Sequence, residues 1–297
     1  MKRKDRKARW LYIWKEYGTG YLFMLPWLLG FAVFMAFPLG WSLYLSFNKV
    51  TLTGEGFHYV RVGFGNFADA LLKDNEYPAE LFAFFIQVIL MIPIIVIFAL
   101  FVSLFLNQRF VGRFLYRSIF FLPVIFATGQ VLLELFRQGA GEMPFLKQYG
   151  IDQLLYPYVG KQLAEPIQSV LGSIVLILWY SGVQILIFIA AFQTVPRSVY
   201  EALHIDGATP WESFWKITLP SIMPFIALNT LYTVVDLFTF PSNPVMRQIS
   251  ANMFKMDTGY GYASALAWLY FALVLLLLGG CMRFIGRMQS NAFKGGG

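Results

Sequence analysis

Six apolar runs, at about 21–47, 83–107, 115–136, 167–193, 221–240 and 263–286, constrain this chain more than any other feature of it. Each approaches the roughly 20 residues with which a helix crosses the hydrocarbon of a bilayer. In that solvent every backbone N–H and C=O must be satisfied, and a helix does so within its own segment. The expected fold is therefore all-α, a polytopic membrane bundle of about six transmembrane helices. Composition agrees: of 297 residues 58% are hydrophobic and only 13% charged, where a soluble domain carries roughly a quarter charged.

Lys and Arg set the orientation. With the N-terminus inside, 15 of the 23 basic residues fall in cytoplasmic segments and 8 in outer ones. The positive-inside rule then places both termini in the cytoplasm. The net charge of +7 belongs to these membrane flanks and does not call for nucleic acid. Residues 1–20 read as a cytoplasmic basic tail opening MKRKDRKARW, a solvated segment able to meet anionic membrane lipid. The apolar run after it is too long for a cleaved signal peptide and lacks a small-residue cleavage site. Residues 21–290 read as the transmembrane domain and 291–297 as a C-terminal tail. The outer loops fall at 48–82, 137–166 and 241–262. The first two are long enough to cap the bundle and touch a soluble partner, and 143–155 reads either as a short amphipathic helix or as plain loop.

Several chemistries find no support in the sequence. The single cysteine, Cys281, lies in an apolar run, and His58 and His204 are far apart, so neither a disulfide framework nor a metal site is expected. No GxxxxGKS/T phosphate loop occurs, so ATP is not expected to bind this chain by that route. With no GxSxG, HExxH or paired-acid arrangement, a non-catalytic protein is expected, and a membrane-embedded enzyme has no constellation to rest on.

Between the fourth and fifth runs lies VPRSVYEALHIDGATPWESFWKITLPSIMP, Val195 to Pro224. It reads as helix, break, helix. Pro196 suits a first turn, and Ser198 with Glu201 forms a capping-box pair. Gly207 can take the left-handed conformation that ends a helix. Thr209, Pro210 and Glu212 restart one as N-cap, N1 and N3. Thr218-Leu219-Pro220 is expected to break it again.

This stretch closely resembles the EAA loop of ABC importer permeases. The matching residues are Glu201-Ala202-Leu203, Asp206-Gly207-Ala208 and Ile217-Thr218-Leu219-Pro220, with Leu203 in place of the usual small residue. The resemblance implies a coupling helix, at about 195–220, that sits in a groove of a cytoplasmic ATPase. Glu201 and Asp206 would then make polar or capping contacts, Gly207 the turn, and Trp211, Phe214, Trp215 and Ile217 apolar contacts. The plain alternative is an ordinary cytoplasmic connector. Other segments are similar to the carbohydrate-uptake branch, the maltose and oligosaccharide permeases. They are Tyr21–Phe47 with its P-x-x-x-S pattern, VGFGNFADAL from Val62, YRSIFFLPVI from Tyr116 and YGYASAL from Tyr260. Asp236, Thr239 and Ser242-Asn243-Pro244 resemble an end to the fifth helix whose glycines are replaced here. Membership implies a bacterial plasma-membrane permease that pairs with a second, similar permease. It also implies two ATPase subunits that bind ATP and Mg, no cofactor in this chain, and an extracytoplasmic solute-binding protein that delivers a sugar or oligosaccharide. The competing class is a secondary transporter or channel for a polar solute. Its coupling-ion site would have only Glu134 and Asp236 as membrane acids.

Polar residues inside spanning helices avoid lipid. Asn229, Tyr232, Thr233 and Asp236 share one face of the fifth run, and Ser169, Ser173, Tyr180 and Gln184 one face of the fourth. Gln130 and Glu134 are four apart in the third, and Gln87 lies early in the second. Tyr180, Gln184, Asn229, Tyr232 and Asp236 are the candidate solute path, because hydroxyls bond to Asn, Gln and Asp while sugar C–H faces pack on Tyr rings. The alternative is bonding across helices as packing contacts.

Overall fold

The computed structural model describes residues 20–53, 56–108, 110–126, 174–240, 243–255 and 258–294, with the isolated positions 134, 157 and 160. Its elements are α1 (Gly20–Ser46), β1 (Asn48–Thr53), β2 (Gly56–Arg61), α2 (Gly65–Leu72), α3 (Tyr77–Asn107), α4 (Arg113–Phe126), α5 (Ile174–Gln193), α6 (Arg197–Ile205), α7 (Pro210–Ser221), α8 (Met223–Phe238), α9 (Pro244–Met253) and α10 (Gly259–Lys294). Three of the described helices, α1, α3 and α10, are long and apolar enough to cross a membrane. The bent pairs α5–α6 and α7–α8 raise the number to five if each is one span. Of the expected third span only α4 is described. Gln130, Ser169, Ser173, the 143–155 segment and residues 1–19 lie outside the described residues.

The chain divides into two compact units, Met1–Lys73 with Ile249–Trp268, and Asp74–Gln248 with Leu269–Gly297. In the first, α1 is apolar all round, and no residue in its most apolar stretch is buried by the chain itself. Such a helix belongs in lipid or against another protein. Ahead of Pro38 it widens into a π-turn over Ala32–Ala36, closed by Phe37 N–H on Ala32 O. An insertion of this kind re-satisfies a helix that a proline would leave short of a donor. The loop expected at 48–82 contains an antiparallel hairpin, β1–β2, with Asn48 paired to Arg61 and Thr53 to Gly56. Buried Asn66 on α2 donates through Nδ2 to Ser46 O and Asn48 O at 2.9 and 3.0 Å, tying α2 to the start of the hairpin. The first turn of α10 presses on β1 at Gly259 and Gly261. A Cβ on Gly261 would overlap the Asn48 carbonyl oxygen and stand 3.0 Å from its carbon.

In the second unit α5 packs on α3, α4 and α8, and α8 packs on α3 as well. Val96, Ala99 and Leu106 of α3 meet Ile185, Phe188, Ile189 and Phe192 of α5 in one buried cluster. α3 begins six residues before the expected 83. Asp74 Oδ1 accepts from the Glu76 and Tyr77 N–H groups, Pro78 occupies the first turn, and Tyr77 is fully buried. At the end of α8, buried Asn243 Oδ1 accepts from Val245 and Met246 N–H and so caps α9, a helix within the outer loop expected at 241–262. Its Nδ2 donates to Phe238 O (3.1 Å) and Tyr270 Oη (2.6 Å), and Tyr270 O–H donates to Phe238 O (2.6 Å). Asn243 therefore serves both the end of α8 and the start of α9 with its side-chain amide.

Candidate functional site

The α6–α7 hairpin is built by local rules. α6 ends in a left-handed Gly207 (φ +75°). Ala208 N–H donates to Leu203 O (2.9 Å) and Gly207 N–H to His204 O (3.2 Å), the paired bonds of a Schellman motif. Nothing lies within 4 Å of where a Gly207 Cβ would be, so the backbone angle, not space, calls for glycine there. α7 then opens with the expected capping box. Glu212 N–H donates to Thr209 Oγ1 (3.3 Å), and Thr209 N–H donates to Glu212 Oε2 (3.0 Å). The Thr209 N–H, then its hydroxyl and Lys216, hold the Glu212 carboxyl below the usual glutamate range. Across the turn, Tyr200 Oη and Thr218 Oγ1 lie 2.9 Å apart and staple α6 to α7. The sequence marked Thr218 only as part of a break and did not mark Tyr200, because their pairing depends on how the turn folds.

Two local expectations are corrected. Ser198 and Glu201 form no capping box: Pro196 is itself the N-cap, with no side-chain acceptor, so Ser198 lies inside the first turn. Thr218-Leu219-Pro220 does not break the helix. A π-turn over Phe214–Thr218 absorbs the proline's missing donor, and the break falls at Ile222, where α7 and α8 bend by 63°. α5 and α6 bend by the same angle at 194–196.

Of the loop residues singled out, Glu201, Ala202, Asp206, Gly207 and Pro220 are exposed, and Ala208, Phe214, Ile217 and Leu219 are half-buried. Trp211 is 70% exposed and meets Trp215 edge to face at 5.4 Å. Beneath them, a groove of about 960 Å³ runs between the hairpin and the ends of α3 and α5. It is lined by Leu104, Phe105, Phe192, Tyr200, Trp211 and Phe214 among others.

α8 does not present its four polar residues together. Asn229 and Thr233 are fully buried against α5, while Tyr232 is 37% exposed and Asp236 half-buried on the adjoining edge. Gln184 Nε2 donates to Thr233 Oγ1 (3.1 Å), Asn229 Nδ2 to Gln184 O (3.2 Å) and Thr233 Oγ1 to Asn229 O (2.8 Å). Gln184 and Asn229 thus lock two helices, and in this conformation neither side chain faces an open cavity. Asn229 and Thr233, four apart, turn toward α5, whereas Tyr232 stands about 100° from Thr233 around the helix axis and reaches the exposed edge. Tyr180 packs edge to face on Phe240 at 5.2 Å, with its hydroxyl buried and unpartnered. Gln87 is half-buried on α3, and Glu134 is exposed.

Two bent helix pairs of this bundle meet in one capped, surface-exposed hairpin, and comparison with known proteins says which class it belongs to. Residues 62–294 match the family described as binding-protein-dependent transport system inner membrane component. The chain is 30% identical over 295 residues to the probable ABC transporter permease protein YesP of Bacillus subtilis (strain 168), covering 93% of this chain and 91% of that one. It is 29% identical over 293 residues to the arabinooligosaccharides transport system permease protein AraP of the same organism, covering 93% and 90%. In fold it resembles a chain of a bacterial alginate ABC transporter solved with an alginate pentasaccharide-bound periplasmic protein, at TM-score 0.63 and 15% identity, covering 93% and 98%. The chain belongs to the family of binding-protein-dependent transport system inner membrane components, the permease subunits of ABC importers, and is a multi-pass protein of the plasma membrane.

Proposed function

We propose that this permease forms, with a second permease, the path by which a sugar or oligosaccharide enters the cell. An extracytoplasmic binding protein delivers the solute, and two ATPase subunits, which bind ATP and Mg themselves, drive the cycle. Both termini and the α6–α7 hairpin are cytoplasmic. The relatives' printed solutes, arabinooligosaccharides and alginate, support a saccharide. One observation carries the mechanical part: the hairpin is continuous, through two 63° bends, with α5 and α8. Those helices hold Tyr180, Gln184, Asn229, Tyr232 and Asp236. A rigid hairpin moved by an ATPase therefore moves the helices that line the path, with no intermediate element to absorb the displacement. Stapled by Tyr200 and Thr218 and capped at Thr209, it is stiff enough for that task. Trp211, Phe214, Ile217 and Leu219 supply its apolar contacts, Glu201 and Asp206 its polar ones, and Ala202, Gly207, Ala208 and Pro220 its shape.

The test uses the φ of Gly207. Gly207→Val puts a β-branched side chain where the backbone is left-handed, a serious conflict, whereas Gly207→Asn is tolerated there. Val is expected to abolish co-purification of the ATPase subunits and solute uptake at normal membrane levels, and Asn to retain both. Full uptake and ATPase association in the Val variant would remove the coupling role.

A further inference from the structure

The α6–α7 hairpin reaches the spans through two junctions, and they are built differently. At α7–α8 one residue belongs to both helices. Ile222 N–H donates to Thr218 O (3.1 Å) and closes α7, while Ile222 O accepts from Phe225 and Ile226 N–H (2.9 and 3.0 Å) and opens α8. Its side chain is 0% exposed. It lies in the buried cluster with Val96 and Ala99 of α3 and Phe188 and Phe192 of α5, and Phe225 and Ile226 pack against that cluster as well.

At α5–α6 no residue spans the bend. The N–H and the hydroxyl of Thr194 both donate to Ala191 O (3.1 and 2.7 Å), so Thr194 finishes α5. Pro196 has no N–H, and its carbonyl accepts from Val199 N–H (3.2 Å), so it opens α6. Among the described residues no hydrogen bond engages Val195, which stands between them.

The difference is mechanical. A groove of about 960 Å³ runs between the hairpin and the ends of α3 and α5, so a hairpin pushed from its tip has room to tilt. Tilting α7 against α8 must break backbone bonds at Ile222 or draw its side chain out of a close-packed cluster. Tilting α6 against α5 by rotation at Val195 costs no hydrogen bond. We propose that Ile222 is the positioning residue through which a displaced hairpin moves the spans: α8 is driven directly, and α5 follows across a hinge at Thr194–Pro196. The inference rests on the coupling role set out above and says which of the two helices takes the stroke.

The experiment uses the assembled transporter, with its ATPase subunits and binding protein, in a Cys281→Ser background. Spin labels at Phe82→Cys on α3 and Val235→Cys on α8, both exposed positions, report the distance between those helices. The probe is ATP with Mg and orthovanadate, which traps nucleotide in the ATPases. Pulsed EPR distances are read with and without it, beside co-purification of the ATPases and the amount of nucleotide trapped. The wild type is expected to show a shift of the α3–α8 distance on trapping. Ile222→Ala is expected to keep ATPase association and trapped nucleotide yet lose the shift, whereas a merely structural residue would lower all three together. Ile222→Val, which removes one methyl group, is expected to keep part of the shift, and Val195→Ala all of it. A full shift in Ile222→Ala overturns the proposal and leaves the coupling role in place. A shift lost equally in Val195→Ala does the same, because the two junctions would then be equivalent. If Ile222→Ala does not assemble, Ile222→Val decides, and a full shift there overturns the proposal. No shift in the wild type, with ATPases bound and nucleotide trapped, removes the coupling role itself and the proposal with it.

Discussion

Gly207 and Gly261 both call for glycine, for opposite reasons. At Gly207 the space is open and only the left-handed backbone objects to a side chain. That cost is about 1–2 kcal/mol. At Gly261 the angle is ordinary and the space is missing. An added methyl group would overlap the Asn48 carbonyl and lie 3.2 Å from Leu45 O, and both obstacles are backbone. The hairpin must move off α10 to admit it. Gly261→Ala is therefore expected to lower the melting temperature of the detergent-purified protein more than Gly207→Ala does. A smaller effect at 261 would show that the hairpin yields easily. The first glycine was legible in the sequence, because it follows a helix-ending Asp and precedes a new N-cap. The second was not, since the groups that exclude a side chain lie more than 200 positions away in the chain. Gln184 and Asn229 fall between these cases. Periodicity put them on inward faces, but whether an inward amide meets solute or a neighbouring helix depends on a rotation of one residue, which a period of 3.6 does not resolve.

Among elements, those ruled by neighbouring residues could be read and those ruled by distant contacts could not. The Thr209–Glu212 box is a four-residue signal and stands where expected. The Ser198–Glu201 pair carried the same signal and failed, because Pro196 took the N-cap and displaced it by two positions. The β1–β2 hairpin lies in a segment expected only as an outer loop. α9 depends on the Asn243 cap, whose amide is held by Phe238 and Tyr270, contacts that no local pattern reveals. The capping box also gives a test. Thr209→Ala removes one of its two bonds, at a cost of about 1 kcal/mol. Amide exchange at Trp211–Ser213, corrected for intrinsic rates, is expected to accelerate severalfold. The box has a pH signature as well. Glu212 has its carboxyl held low in the folded chain, so its contribution is present above the ordinary glutamate range and is lost as pH falls through the lowered value. Protection in the wild type should decline there, and Glu212→Gln should show no such decline. A pH-independent wild type would mean that the Thr209 hydroxyl alone holds the turn.

For the whole molecule, the proposed coupling role predicts a cytoplasmic α6–α7 hairpin and an outer loop at 48–82. The basis is the distribution of Lys and Arg, 15 against 8 in favour of the side that holds 195–220, a count that does not use the loop's own pattern. Cys281 is the single cysteine, so a Cys281→Ser background gives a silent chain into which reporters can be placed. Ile205 is 87% exposed at the tip of α6, and Tyr59 is exposed on β2. In intact cells a membrane-impermeant maleimide is expected to label Tyr59→Cys at once and Ile205→Cys only after permeabilisation. Co-expression of the ATPase subunits should then slow labelling at 205 even in permeabilised cells, because the docked groove covers the tip, and should leave 59 unaffected. Labelling of Ile205→Cys from outside would place the hairpin where no ATP-driven partner can reach it. Neither its cap nor its staple would then have any bearing on transport.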